Sequence, residues 1–125
     1  MNQRTVLYVE DNEYNRKIVR QLLSKTSYRL VEAFDGESGI ASALELRPDL
    51  ILMDVQLPKI SGLDATRTLR ADERTKDTPI VIITSFAMSG DRERATDAGA
   101  SGYLAKPYSP RELLALLRKF LPEEA

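Results

Sequence analysis

Leu50-Ile51-Leu52-Met53-Asp54-Val55-Gln56-Leu57-Pro58 is the stretch that decides the fold. Its first four residues are all apolar, so a strand here has no face to give to water. Strands of that kind belong in a parallel sheet covered on both sides. The run then ends abruptly on a carboxylate. Thr5-Val6-Leu7-Tyr8-Val9 and Ile80-Val81-Ile82-Ile83 are nearly as apolar, and they too stop at polar residues, Glu10-Asp11 and Thr84-Ser85. Two more mixed runs, Arg29-Leu30-Val31-Glu32-Ala33 and Gly102-Tyr103-Leu104-Ala105, suit the edges of the same sheet.

Helical patterns fill the gaps. Tyr14, Ile18 and Leu22 recur at four-residue spacing with Val19 and Leu23 beside them; Ile40, Ala43 and Leu44 make a second face, and Leu63, Ala65, Thr66 and Leu69 a third. Ala95 and Ala98 mark a fourth helix, weakly apolar and heavily charged. Leu113, Leu116, Leu117 and Phe120, with Leu114 and Leu121, mark a strong fifth. Asn12, Asp35-Gly36 and Ser61-x-x-Asp64 are helix starts, and Ser109-Pro110-Arg111-Glu112 combines an N-cap, a first-turn proline and a capping-box glutamate. Pro48 and Gly99 stand where the second and fourth helices should stop. The charged segment Arg70 to Asp77 is short enough to be a helix end and a loop. With no linker in sight, residues 1–125 read as a single α/β domain with right-handed crossovers and helices on both faces of a five-stranded sheet.

Composition removes several function classes. Lysine plus arginine is 18 and aspartate plus glutamate 19, so the net charge of −1 argues against nucleic-acid binding by bulk charge. The absence of cysteine excludes disulfides, thiolate metal sites and a cysteine nucleophile. The absence of histidine excludes imidazole metal sites, histidine-based triads and a role as phosphohistidine carrier. No apolar run is long enough for a membrane span, and Met1 to Arg4 is too polar and short for a signal peptide. The expected location is cytoplasmic.

In an open parallel sheet, ligands bind outside the carboxyl ends of the strands. Those ends carry Glu10-Asp11-Asn12, Asp54, Thr84-Ser85 and Lys106-Pro107. Each has an ordinary reading as a cap, turn or solvated residue; the case rests on their occurring together at one end of one sheet. If the first and third strands are neighbours, Glu10, Asp11 and Asp54 converge. Two carboxylates about 5 Å apart repel by roughly 3 kcal/mol at an effective dielectric near 20. Such a site wants a cation, and oxygen-only donors suit the hard ion Mg²⁺.

In this order and spacing, Glu10-Asp11, Asp54 in Leu52-Met53-Asp54-Val55-Gln56-Leu57-Pro58, Gly62, Thr84, Ala98-Gly99-Ala100 and Lys106-Pro107 resemble the receiver domain of two-component response regulators. The resemblance covers essentially the whole chain, and the stretch Asp54 to Asp91 is also similar to the single-domain regulators of bacterial cell-cycle circuits and to the receivers of hybrid kinases. It implies a flavodoxin-like receiver fold with strand order 2-1-3-4-5. It implies that Asp54 accepts a phosphoryl group, that Asp11, Asp54 and the Gln56 carbonyl bind Mg²⁺ with help from Glu10, and that Lys106 pairs with Asp54 and then with a phosphate oxygen. By the same resemblance the Lys106–Pro107 bond is cis, Thr84 bonds the phosphate, and Tyr103 is a switch aromatic on a face formed by the fourth helix, fifth strand and fifth helix. Gln56 and Phe86 stand where the family tunes dephosphorylation. Ser85 stands where the family usually has alanine.

The implied partners are a sensor histidine kinase or histidine phosphotransfer protein, docking near Asn15, Val19, Tyr108 and Pro110, and a downstream protein target; no nucleic acid and no membrane. The implied catalysis is limited to the chain's own phosphorylation and autodephosphorylation. Leu114, Leu117 and Leu121 can exceed what the core needs, which would open the fifth helix to a homodimer. Met1 and the complete set of elements favour a stand-alone regulator over a piece of a larger protein. Three other readings compete. A flavodoxin-like cofactor binder would place a phosphate-cradling loop, not Glu10-Asp11, after the first strand. A phosphohydrolase would typically carry a second aspartate where Gln56 stands. A receiver-like scaffold would have all these residues and not use them.

Overall fold

The computed structural model describes residues 3–85 and 90–122. Five strands alternate with five helices: β1 (Thr5–Val9), α1 (Glu13–Leu23), β2 (Arg29–Ala33), α2 (Gly36–Leu46), β3 (Leu50–Asp54), α3 (Gly62–Arg70), β4 (Ile80–Thr84), α4 (Asp91–Ala98), β5 (Gly102–Ala105) and α5 (Pro110–Phe120). The strands form one parallel sheet in the order β2-β1-β3-β4-β5. This is the order the resemblance implies. β3 and β4 each run one residue further than their apolar runs, because the ladder pairs Asp54 with Ile83 and Thr84 with Ala105. Backbone pairing does not depend on the polarity of the side chain it carries.

Alternation along the strands divides the core in two. Val6, Tyr8, Leu50, Leu52, Val81, Ile83 and Leu104 face α1 and α5, meeting Val19, Leu23, Leu113 and Leu117. Leu7, Val9, Ile51, Met53, Ile80 and Ile82 face the other way, onto Ala43 of α2, Ala65 and Leu69 of α3 and Ala95 of α4. The caps form as read: Asn12, Ser61 and Ser109 accept amides three residues on, and Asp35 and Ser109 complete capping boxes. Gly99 closes α4 in the left-handed region at φ 104°.

Three expectations change. The buried face of α1 is Arg16, Val19 and Leu23, whereas Tyr14 is 70 % and Ile18 42 % exposed. A stripe drawn through apolar residues alone misses that an arginine fills one core-facing position. Val19, expected at a partner surface, is wholly buried in the α1–α5 core and cannot touch a partner directly. Leu117 and Leu121 are also buried and Leu114 packs against the same core. The leucine surplus that suggested a homodimer is therefore spent inside the domain.

Among the described residues no helix is long and apolar enough to cross a membrane. Arg70 to Asp77 is a helix end and loop, but not a slack one. The Arg70 guanidinium donates to the carbonyls of Gly99 (2.7 Å), Thr75 (3.2 Å), Lys76 (3.1 Å) and Thr78 (2.5 Å) and to the Ser101 hydroxyl (3.0 Å), fastening the end of α3 to the turn after α4.

Candidate functional site

The alternation that sorts the core also assembles the site. Glu10, Asp54 and Lys106 continue the face of Tyr8, Leu52 and Leu104, so all three side chains leave their strand ends toward α1 and α5. Val9 pairs with Met53, which puts Glu10 beside Asp54 on adjacent strands. Lys106 is two strands from Asp54, since β4 lies between β3 and β5. Strands stand about 4.8 Å apart, so only a long side chain makes the crossing. Ser85 follows β4 on that path, and its small side chain leaves the way open.

The ammonium of Lys106 donates to Asp54 Oδ2 at 2.6 Å and to Glu10 Oε1 at 2.9 Å. Asp54 and Glu10 are 3 % and 2 % exposed. Asp54 Oδ1 accepts the Gln56 amide at 2.7 Å. Glu10 Oε1 also accepts from the Tyr8 hydroxyl at 3.2 Å and from Asn15 Nδ2 at 3.3 Å, and Oε2 accepts the Asn12 amide at 3.3 Å. Burial, and then hydrogen bonding with Glu10, push the Asp54 carboxyl up to about 6. Burial also acts to raise Glu10, but its bonds with Asp54 and Lys106 outweigh that and hold it below the ordinary range. Burial acts to lower Lys106, and the two carboxylates overcome it and hold the ammonium up. One cation thus serves two buried acids, and Asp54 is the one of the pair that gives up its proton at the higher pH.

The expected convergence of three acids is only partly met. Asp11 is exposed, at a bend two residues past the end of β1. Among the described residues no group of three or more acidic side chains is gathered as a metal cluster. The donors that remain for a metal are carboxylate and carbonyl oxygens only, and two carboxylates against one ammonium leave net negative charge. Both features fit Mg²⁺ and exclude softer preferences.

The other expected residues fall around this centre. Thr84 is buried at the end of β4 but continues the face of Ile82, toward α4. Tyr103 packs on that same side, with the Arg92 guanidinium 5.2 Å over its ring and a cavity of about 210 Å³ beside it, lined by Arg92, Ala95, Ala100 and Gly102 among others. The Lys106–Pro107 peptide bond is cis. Asn15, Ile18, Ser85, Lys106, Pro107 and Tyr108 line an open groove of about 450 Å³ next to Lys106. Pro110 is exposed in the first turn of α5. Phe86 lies outside the described residues.

Two residues escaped the sequence reading. Arg16 donates to the Glu10 carbonyl at 2.8 Å and to the Glu13 carboxylate, lies 3.4 Å from Glu32, and stacks 4.2 Å from the Phe34 ring centroid. It fixes the main chain that carries Glu10. Its spacing from Val19 and Leu23 was the available signal. Tyr8 sits in an apolar run and reads there as core, yet its phenol reaches Glu10.

Residues 6–118 match the family described as the response regulator receiver domain. The chain is 39 % identical over 118 residues to the polar-differentiation response regulator DivK of Brucella anthropi, covering 94 % of this chain and 96 % of that one. DivK of Brucella ovis matches to the same extent. Among solved structures, the receiver domain of the Pseudomonas aeruginosa sensor histidine kinase PA1611, which has a magnesium ion coordinated in its active-site cleft, is 39 % identical with a TM-score of 0.88 over 95 % of this chain and 98 % of that one. The Vibrio cholerae chemotaxis protein CheY4 is 31 % identical with a TM-score of 0.90 over 96 % of this chain and 100 % of that one.

Proposed function

The chain belongs to the response regulator receiver family of two-component signalling, and from that premise we propose that it is a phosphorylation-dependent switch whose acceptor is Asp54. The observation that carries this reading is the Lys106 ammonium held between buried Asp54 and Glu10 at the carboxyl end of the sheet. With no histidine in the chain, the donor is the phosphohistidine of a sensor kinase or phosphotransfer protein. A carboxylate oxygen of Asp54 attacks phosphorus as the bond to the donor imidazole nitrogen breaks, and that nitrogen keeps the bonding electron pair. The product is an acyl phosphate.

Lys106 already touches Asp54 and transfers its hold to a phosphoryl oxygen as a compact charge. Asp11, Asp54 and the Gln56 carbonyl would hold Mg²⁺, with Glu10 behind them; the ion would neutralise the charge gathering on the transferred group. Thr84 bonds a phosphoryl oxygen, and Tyr103 moves with it into the cavity between α4 and β5. The face of α4, β5 and α5 then presents a different surface to a downstream protein. The phosphoryl group shifts this equilibrium only by contacts that differ between the two states. Gln56 and Phe86 set access of water to the acyl phosphate. The donor protein docks over the groove of Asn15 and Tyr108, with Pro110 at its rim. The setting is cytoplasmic.

Intact mass after incubation with acetyl phosphate, with and without Mg²⁺ and beside Asp54→Asn, tests the reading. A Mg²⁺-dependent gain of one phosphoryl group, absent in Asp54→Asn, is the expected result. Labelling that survives in Asp54→Asn would move the acceptor elsewhere. Failure with both acetyl phosphate and a phosphohistidine protein would overturn the switch.

A further inference from the structure

Tyr8 is fully buried in the middle of a central strand, among Val6, Leu50, Leu52 and Val19. A hydroxyl there is costly unless bonded. It is bonded: the phenol donates to Glu10 Oε1 at 3.2 Å. Burial, with Tyr108 and Glu10 nearby, pushes the Tyr8 phenol far above its ordinary range, so it keeps the proton it donates.

Glu10 Oε1 therefore stands at a junction. It receives Tyr8, Asn15 and Lys106, three donors for one oxygen with about two lone-pair sites. Lys106 is shared in turn between this oxygen at 2.9 Å and Asp54 Oδ2 at 2.6 Å. Every donor that occupies Oε1 weakens the pull of Glu10 on the ammonium.

We propose that Tyr8 is a positioning residue for phosphoryl acceptance: its phenol occupies Glu10 and so keeps Lys106 directed at Asp54. The inference rests on Asp54 being the acceptor. It makes one hydrogen-bonded chain running Tyr8, Glu10, Lys106, Asp54.

The test compares Tyr8→Phe with Asn15→Ala, which removes another donor from the same Glu10 oxygen. Each is labelled with acetyl phosphate at saturating Mg²⁺ and followed by intact mass, with thermal unfolding measured alongside. Tyr8→Phe keeps the ring and its packing. Its maximal labelling rate should fall by about three- to tenfold, the scale of one ordinary hydrogen bond, with the half-saturating acetyl phosphate concentration unchanged. Asn15→Ala should lower the rate as well. A packing role would shift the melting temperature and leave the rate alone. An unchanged or faster rate in Tyr8→Phe overturns the proposal while wild-type labelling leaves Asp54 as the acceptor. If Tyr8→Phe does not fold, an unchanged rate in Asn15→Ala overturns it. Absence of labelling in the wild type overturns both this inference and the reading beneath it.

Discussion

Gly62→Ala should be the most damaging single methyl in the molecule. Gly62 is the first residue of α3, buried against the end of β3, and its amide donates to the Val55 carbonyl at 3.0 Å. A Cβ built there would lie 2.0 Å from the Asp54 carbonyl oxygen, 2.8 Å from its carbon and 3.0 Å from Val55 Cα. An ordinary carbon–oxygen contact needs about 3.3 Å or more, so something must move by more than about 1 Å. None of the three obstacles is a side chain that can swing aside. They are the backbone of a central strand that is paired on both sides. Overpacking costs about 1–3 kcal/mol, and a backbone obstacle in the sheet puts this case at the top, about 3 kcal/mol. For a domain of this size that corresponds to a fall of about 12 °C in melting temperature. The same displacement carries the Asp54 main chain with it, so labelling by acetyl phosphate should slow more than stability alone explains. Gly90→Ala is the control, because a Cβ there meets only the Arg94 guanidinium at 3.9 Å. Its cost is the left-handed backbone at φ 93°, about 1–2 kcal/mol. Calorimetry on the two variants decides the matter. A Gly62→Ala midpoint within about 2 °C of wild type would refute the steric reasoning.

Arg70→Ala should cost about 2–3 kcal/mol by urea titration, because it releases four carbonyls and the Ser101 hydroxyl together. Arg70→Lys should recover little of this, since a point charge cannot reproduce the guanidinium fork. Glu32→Gln removes a two-pronged bond from Arg20, at 2.8 Å on each oxygen, and the charge facing Arg16. The Arg20 bond is what chiefly holds the Glu32 carboxyl below its ordinary range. A depressed folded-state pKa gives stability that is present above the unfolded value and lost as pH falls through the folded one. The variant should therefore lie about 1–2 kcal/mol below wild type at pH 7. In equilibrium unfolding the gap should close as the pH drops below about 4; a gap that stays constant to pH 3 would contradict the assignment.

Most of the fold was legible because its strands announce themselves as unbroken apolar runs and its helices begin at unambiguous caps. The site was legible for a related reason. When a run such as Leu50–Met53 meets a carboxylate with no intervening turn, the acid must stand at the rim of the sheet. Three things were not legible. The α1 face was misread because Arg16 occupies a core position, and its burial depends on Glu10, Glu13, Glu32 and Phe34, which are brought together only in three dimensions. Asp11 was counted with Glu10 in one cluster of three acids, whereas among the described residues no such cluster is gathered and Asp11 stands exposed at a bend past the strand, whose path the residue types do not dictate. Tyr8 was read as core, and it is core; that its hydroxyl meets a carboxylate depends on the register and the reach of a phenol. In each case a polar group is at work inside an apolar pattern.

The same contrast between rigid and lightly held parts bears on signalling. Asp54 and Glu10 rise from the ends of buried, paired strands and Lys106 from the end of the half-buried edge strand β5, so the sheet holds the three side chains still. Helix α4 is different. Of its described side chains only Ala95 and Ala98 are buried, and its N-cap, Gly90, supplies no side-chain hydrogen bond. Its C-terminal end is fastened, where Arg70 holds the Gly99 carbonyl and Ser101. Burying two methyl groups is worth about 1.6 kcal/mol at about 0.8 kcal/mol each, whereas one hydrogen bond to a charged phosphoryl oxygen is worth about 1.5–3 kcal/mol. On the proposed reading, a single new contact at Thr84 or Lys106 is therefore enough to compete with what holds the uncapped end of α4. A helix packed as tightly as α5, with Leu113 and Leu117 fully buried, would need several such contacts. The weakness of α4 is what would let a small group on Asp54 be felt on the far side of the sheet.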